Sequence, residues 1–270
     1  MNKIRLIGVD LDGTLLNDNK IITAYTKKVL QKIIKMDTVV VPTTGRPKEG
    51  LAKELLSIPG IKYAITSNGA QVIDIQKDKV LFSRSLSKEK ALRIIDLVSA
   101  YPVTLDAAID GKLFMEEATI ENLYDYLGSK HGLLPRYPVE NIRDFIIKSN
   151  YPLEKVNVIF KNQDLKSTLY NKIKALGNLS ITSSHRKNLE VNSYSATKGK
   201  GLLLLADFLN IKKEEIMAIG DSSNDVDMLS SVGLPIAMGN GSEEVKNLSS
   251  FITLTNNEDG AARAIERFAL

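Results

Sequence analysis

Ile4-Arg5-Leu6-Ile7-Gly8-Val9-Asp10-Leu11-Asp12-Gly13-Thr14 reads as a short apolar strand running directly into an acidic turn. The apolar run has the length of a buried strand, and Gly13 lets the backbone turn tightly behind the second acid. Two carboxylates one residue apart at a strand end can address the same small volume, which suits a hard cation and an oxygen-rich ligand. Alone, the pair also fits a capped loop followed by an Asp-Gly turn. Its company narrows the choice. Ile216-Met217-Ala218-Ile219 is a second apolar strand, ending in Gly220-Asp221-Ser222-Ser223-Asn224-Asp225. Acids at the ends of two strands are what a split metal site would look like. Between them, Thr43-Thr44-Gly45-Arg46-Pro47 closes the run Val39-Val40-Val41, and Lys198-Gly199-Lys200-Gly201 opens an apolar helix from Leu202 to Leu209. A hydroxyl, a lysine and exposed backbone N–H groups are the donors a phosphoryl group needs.

Outward from these segments, strands and helices alternate. Strands are predicted near 4–9, 38–43 and 63–67, with helices near 23–36 and 47–57. The pattern resumes with strands near 216–219, 234–238 and 251–253, each followed by a helical pattern. Such alternation implies a parallel sheet covered on both faces, with ligands bound beyond the carboxyl ends of its strands. The stretch 83–188 breaks the rhythm. It carries a hairpin, with Asp110-Gly111-Lys112 joining Val103–Ile109 to Leu113–Glu117, and helical patterns near 87–100, 119–130 and 164–176. The expected organisation is therefore an α/β core from 1–82 and 189–270, doubly wound and mostly parallel, with an inserted α+β domain from 83–188. Asn68-Gly69 and the segment Asn188 to Asn192 are expected crossing points.

Composition sets bounds. The 270 residues are 43% hydrophobic, enough for one large or two modest cores. With 36 Lys+Arg against 32 Asp+Glu, the net charge is only +4, and no basic stripe argues for nucleic acid. There is no cysteine, which removes disulfides, cysteine-zinc sites and thiol nucleophiles. The N-terminal apolar run contains Arg5 and stops at Asp10, short of the roughly 18–20 residues that cross a bilayer. A cytoplasmic protein without membrane or nucleic-acid partners is expected, as a monomer or homodimer.

The four segments around Asp10, Thr44, Lys198 and Asp221, in that order, resemble the four motifs of the haloacid dehalogenase (HAD) superfamily of phosphohydrolases. The resemblance spans nearly the whole chain, including Thr66-Ser67-Asn68-Gly69-Ala70 and Asn256-Asn257-Glu258-Asp259-Gly260. It is nearest the Cof type, particularly the YidA-like sugar phosphatases, and implies a Rossmann-like HAD core whose insert is a cap of the C2B kind. Only 28 residues separate Thr14 from Thr43, whereas 153 separate Thr44 from Lys198. That spacing argues against relatives with a helical cap after the first motif.

By this resemblance Asp10 is the nucleophile that forms an aspartyl phosphate, and Asp12 the acid and base that serves the leaving alkoxide and the water. The ligands of a Mg²⁺ cofactor are implied to be the Asp10 carboxylate, the Asp12 backbone carbonyl and the Asp221 carboxylate, with Asp225 supporting them. Thr44, the N–H groups of Leu11 and Gly45, Lys198 and Asn224 match the family's phosphate contacts. The substrate implied is a small phosphorylated metabolite, foremost a sugar phosphate, with a flavin precursor or pyridoxal phosphate as alternatives.

Other readings stay open at lower weight. A phosphomutase of the phosphomannomutase type shares the architecture. A two-component receiver uses a similar set of residues but is much shorter and lacks an insert, and a decayed binding protein would not keep every catalytic side chain. Lys198 on a first helical turn is disfavoured by the helix dipole, which argues for a functional reason to keep it. Arg46 is divided between substrate and an acidic partner, Thr14 between the loop and the substrate, and Asn68-Gly69 is first a turn. His131 and His185 are expected to be structural or surface residues, and Lys161 to Lys166 a solvated face.

Overall fold

The computed structural model of the chain describes residues 3–127 and 134–270. In chain order the strands are β1 (Leu6–Val9), β2 (Val39–Pro42), β3 (Tyr63–Thr66), β4 (Gln71–Asp74), β5 (Lys79–Ser83), β6 (Val103–Ile109), β7 (Lys112–Glu116), β8 (Tyr137–Val139), β9 (Leu153–Phe160), β10 (Leu179–Thr182), β11 (Asn188–Ser193), β12 (Ile216–Gly220), β13 (Leu234–Ala237) and β14 (Phe251–Ile252). The helices are α1 (Ala24–Ile34), α2 (Lys53–Leu56), α3 (Lys88–Val98), α4 (Glu117–Leu127), α5 (Ile142–Lys148), α6 (Leu165–Lys174), α7 (Lys198–Phe208), α8 (Val226–Ser230), α9 (Glu243–Leu248) and α10 (Gly260–Ala269). They divide into two compact units: Met1–Gly45, Leu51–Phe82 and Thr197–Leu270 form the first, Arg46–Gly50 and Ser83–Ala196 the second.

The first unit is built on a parallel sheet of order β14-β13-β12-β1-β2. Its central strands are apolar on both sides because both sides are covered. Ile7 and Val9 of β1, with Met217 and Ile219 of β12, pack under Val29, Leu30 and Ile33 of α1 and Ile265 of α10. Leu6, Ile216 and Ala218 pack on the opposite face with Leu202 and Leu205 of α7 and Met228 of α8. The α1 helix starts where the Thr23 hydroxyl accepts from the Thr26 N–H, and its buried residues Thr26, Val29, Leu30 and Ile33 repeat at helical spacing. Strand order reverses between β1 and β12, which pair in register from Leu6 opposite Ile216 to Val9 opposite Ile219. The crevice beyond their carboxyl ends is where such sheets bind ligands.

The second unit holds a six-stranded sheet, β10-β11-β9-β6-β7-β8. Asp110 (φ 50°) and Gly111 (φ 78°) make the tight turn between β6 and β7, as an Asp-Gly pair favours in a hairpin. Leu105, Ala107, Val156, Val158, Leu189 and Val191 form one apolar face, packed with Ile94, Ile95, Ile146 and Leu169 of α3, α5 and α6.

Three expectations need correction. The return to the first unit lies at Thr197 rather than residue 189, because β11 pairs with β9 and β10. Asn68-Gly69 is not a crossing point: Ser67, Asn68 and Gly69 all take positive φ and turn β3 back into antiparallel β4, within the first unit. The helix expected over 47–57 is broken. Lys48–Gly50 is a short 3₁₀ turn whose Glu49 N–H donates to Gly111 O at 3.0 Å, and only Lys53–Leu56 is α-helical. A tertiary contact here overrides local propensity. His131 lies outside the described residues.

Candidate active site

Asp10 follows β1 and Asp221 follows β12, so the register of two neighbouring strands brings the first and last acidic segments together. Lys198 enters from the first turn of α7, whose start is capped by the Thr197 hydroxyl accepting from the Lys200 N–H. The residue is only 1% exposed, and its ammonium donates at 2.7 Å to both Asp10 Oδ1 and Asp225 Oδ1. A buried lysine is tolerable here because two buried carboxylates surround it.

The remaining acids are arranged around this pair. Asp225 Oδ2 accepts the backbone N–H groups of Asp221 at 3.0 Å and Ser222 at 3.1 Å, which closes the 220–225 loop around its carboxylate. Asp221 Oδ1 accepts from the Thr14 hydroxyl at 3.2 Å. Asp10, Asp221 and Asp225 each offer an oxygen, and these lie within 4.8 Å of one another. The electrostatics follow from this crowding. Burial pushes the Asp10 carboxyl well above the ordinary carboxylate range; Lys198 pulls it back, and Asp225 and Asp221 push it up further. Burial, then the charge of Asp225, raises Asp221 to about 6, against the lowering influence of Lys198 and Thr14. Burial opposes the charge on Lys198, but Asp10 and Asp225 outweigh it and hold the ammonium above the ordinary lysine range.

The donor set fits a divalent cation. It is all oxygen, and it concentrates negative charge that one lysine does not fully compensate. The glycine at 13 preserves the space: with φ +80°, a Cβ there would stand 2.6 Å from Asp221 Oδ2.

Other expected residues take distinct places. The Asp12 carboxylate accepts from Lys20 Nζ at 2.9 Å in a half-exposed pair. Leu11 is buried, and its carbonyl accepts from Leu16 N–H at 2.8 Å, folding the loop back on itself. Thr44 is buried at the end of β2, its N–H donating to Ile65 O at 2.8 Å, with Gly45 next in the same loop. Asn224 donates through its amide to Asn68 Oδ1 at 3.3 Å, and Asn68 N–H donates to Thr44 O at 3.0 Å. Asn68 thus links the Thr44 and Asn224 loops and is more than a turn residue. Its left-handed backbone, shared with Ser67, is strain of the kind that collects at functional sites. Arg46 belongs to the second unit, where its guanidinium donates to Gly50 O at 3.1 Å. His185 lies on the surface, as expected, where partial desolvation and the nearby cations Lys187, Lys166 and Arg186 lower its pKa.

Sequence reasoning missed Lys20 and Asn240, and singled out Asn256 only as part of a matching stretch, without a role. Asn240 donates to Gly13 O at 2.8 Å and accepts from Asn256 N–H at 2.9 Å, and the Asn256 amide donates to Leu16 O at 3.2 Å. Asn240-Gly241 follows a predicted strand end on the same edge, which was the available signal. Nothing local marks Lys20.

Residues 7–265 match the family model of haloacid dehalogenase-like hydrolases. The chain belongs to the haloacid dehalogenase-like hydrolase family. It is similar to the 5-amino-6-(5-phospho-D-ribitylamino)uracil phosphatase YcsE of Bacillus subtilis, 31% identical over 268 residues that cover 99% of this chain and 96% of that protein. Among solved structures, a haloacid dehalogenase-like hydrolase from B. subtilis superposes with a TM-score of 0.88 at 24% identity, covering 97% of this chain and 99% of that one. A HAD subclass IIB sugar phosphatase superposes with a TM-score of 0.82 at 22% identity, covering 98% of each chain. This haloacid dehalogenase-like protein is a phosphatase with a Rossmann-like parallel core and a sheet-rich cap, as its motifs implied. Among the described residues no helix is long and apolar enough to cross a membrane.

Proposed function

We propose that the chain is a Mg²⁺-dependent phosphatase of small phosphate monoesters, foremost sugar phosphates, working through an aspartyl phosphate. The observation that carries this reading is the buried Lys198 ammonium, 2.7 Å from Asp10 on one strand end and from Asp225 in the loop of the next. Asp10 attacks phosphorus: a carboxylate oxygen–phosphorus bond forms as the ester P–O bond breaks. Asp12 gives its proton to the departing alkoxide. In the second half it takes a proton from the water whose oxygen displaces Asp10, releasing inorganic phosphate.

Lys198 orients Asp10 and offsets the repulsion among the acids. Lys20 orients Asp12 from outside. Thr44, the N–H groups of Leu11 and Gly45, Lys198 and the Asn224 amide bind the phosphoryl oxygens, donors set where charge spreads in the transition state. The Asp10 carboxylate, the Asp12 carbonyl and the Asp221 carboxylate would hold Mg²⁺, with Asp225 bracing the Asp221 backbone. Bound there, the ion supplies positive charge that offsets the phosphoryl and carboxylate charges as they meet.

One relative favours a second substrate reading. The similarity to YcsE points to 5-amino-6-(5-phospho-D-ribitylamino)uracil, itself the monophosphate of a neutral polyol. The test is phosphate release from p-nitrophenyl phosphate, sugar phosphates and this flavin precursor, with Mg²⁺ and with chelator. Metal-dependent release by the wild type and its loss in Asp10→Asn support the reading. Undiminished release by Asp10→Asn removes the nucleophile, and product that stays phosphorylated at another position points to a mutase.

A further inference from the structure

Within the first unit, the loop of residues 11–22 leads from the end of β1 towards α1. Asn17 and Ile21 close a tight turn in it. Asn17 N–H donates to Ile21 O at 3.1 Å, Lys20 N–H to Asn17 O at 2.8 Å and Ile21 N–H to Asn17 Oδ1 at 3.0 Å. The last residue inside this turn, Lys20, has φ 61°. A three-residue turn puts its left-handed position there, and glycine suits that position because a Cβ is penalised.

Lysine is therefore disfavoured at position 20, and stability does not explain it. Its ammonium donates to Asp12 Oδ1 at 2.9 Å, with the two side chains 43% and 41% exposed. An ion pair so exposed stabilises little, because water and lost side-chain freedom offset the attraction. Backbone strain retained for so weak a pair is of the kind found where geometry matters. What the pair does is fix a direction: a half-exposed aspartate has three staggered χ1 wells open to it, and a bond to an anchored partner selects one.

The anchor comes from the far end of the chain. Asn256 Nδ2 donates to Leu16 O at 3.2 Å and to Asp18 Oδ1 at 3.0 Å. Asn257 Nδ2 donates to Asp18 Oδ2 at 2.9 Å, and its Oδ1 accepts the Asp18 N–H at 3.1 Å. Asn257, then Asn256, hold the Asp18 carboxyl below the ordinary carboxylate range, so these bonds favour its charged form. Asn240 accepts the Asn256 N–H at 2.9 Å and donates to Gly13 O at 2.8 Å. Past the turn, the Thr26 hydroxyl donates to Asp259 Oδ1 at 2.8 Å. Segment 256–259 thus grips the chain at Leu16 and Asp18 before Lys20 and at Thr26 after it.

We propose that Asp18, Asn240, Asn256 and Asn257 form a clamp of positioning residues: they fix the turn from which Lys20 holds the Asp12 carboxylate in the orientation that serves the leaving group. The proposal rests on the phosphatase reading above and extends its machinery to the C-terminal segment. None of the four touches the reacting atoms; each acts through Lys20 or through the backbone beside Asp12.

The test reads kcat/KM with Mg²⁺ on two esters: the sugar phosphate that wild type cleaves fastest, whose alkoxide needs a proton, and p-nitrophenyl phosphate, whose leaving group departs as the anion. This parameter follows the reaction up to its first irreversible step, so it includes departure of the leaving group. Lys20→Gly relieves the turn and releases Asp12. It should melt no lower than wild type, yet the ratio of sugar to aryl phosphate should fall about threefold, as one χ1 well becomes three. A purely structural lysine would leave that ratio alone. Asn257→Ala, an exposed change that acts on Asp18, should lower the ratio by less than Lys20→Gly does. The double variant should lose no more than Lys20→Gly, because both act through one contact. Thermal melts by circular dichroism establish that each variant is folded.

An unchanged ratio in Lys20→Gly overturns the proposal. A raised ratio does so too, since Lys20 would then hold Asp12 away from the leaving group, and additive losses in the double variant separate Asn257 from Lys20 and overturn the clamp. Asp12→Asn is the control: if it leaves the ratio unchanged, or if wild type cleaves no sugar phosphate, the phosphatase reading is what fails. The clamp is then judged by hydrogen-exchange mass spectrometry over residues 11–21, where Asn257→Ala should exchange at least twofold faster than wild type; equal rates overturn it.

Discussion

Replacing Lys198 by Met keeps most of the side chain's volume and removes its charge from a site only 1% exposed. The carboxylates of Asp10 and Asp225, each 2.7 Å from the ammonium, then face one another and Asp221 without compensation. Removing one partner of a buried ion pair typically destabilises by about 3–5 kcal/mol. That penalty should depend on pH. Asp10 already sits well above its ordinary range because burial outweighs the pull of Lys198. Without the lysine its pKa rises further, so the folded variant holds a proton at pH values where the folded wild type has lost it. Over that interval, stability of the variant relative to wild type falls by about 1.4 kcal/mol per pH unit as pH rises. The chain has no tryptophan, so urea unfolding is best followed by far-UV circular dichroism, in chelator, from pH 5.5 to 8.5. The expected result is a small deficit at the acid end growing to several kcal/mol at the alkaline end. A deficit that stays flat across the range, or stays below about 1 kcal/mol at pH 8.5, would refute the buried-charge account.

Gly13→Ala should weaken metal binding at least tenfold with a loss of stability of about 1–2 kcal/mol, since its Cβ would meet Asp221 Oδ2 at 2.6 Å from a left-handed backbone; calorimetric Mg²⁺ titration beside a thermal melt checks both. Metal-induced stabilisation should be largest above pH 6 and fade as pH falls through about 6, where Asp221 takes up a proton that the cation must displace. In chelator the sign reverses: the raised Asp221 contributes stability at acid pH that is lost as pH rises through about 6, which thermal melts with and without Mg²⁺ across pH 5–8 resolve. Asn68→Ala should destabilise by about 1–2 kcal/mol through strain at φ 57° and the loss of the bond from Asn224, whereas Asn68→Gly should recover the strain component; urea midpoints of the two variants separate the contributions.

The candidate site was legible because the logic of its placement is local and repeated. Each of the Asp10, Thr44 and Asp221 segments directly follows a run of apolar residues, and a parallel sheet buried on both faces brings the ends of such runs to one edge without further instruction. Lys198 was legible for the opposite reason, as a charge at the wrong end of a helix dipole. What escaped was set by pairings that exist only once the chain has folded. Neither Lys20 nor Asn240 is periodic or charged in any unusual way, and their partners Asp12 and Gly13 become neighbours only when the loops fold. The broken helix near Lys48 and the shifted return at Thr197 have the same origin, since Glu49 and β11 follow partners in the second unit. The polar face around Asp106 is the sharpest case. Asp106, Asn157 and Glu190 lie far apart in sequence, and each alternates with apolar neighbours as a half-exposed strand residue would. Only the register across β6, β9 and β11 makes them one surface. Chemistry common to every phosphate ester can be written in short motifs because it is placed by strand ends. A polar surface drawn from three strands is assembled from register, and a register is invisible until the strands are paired.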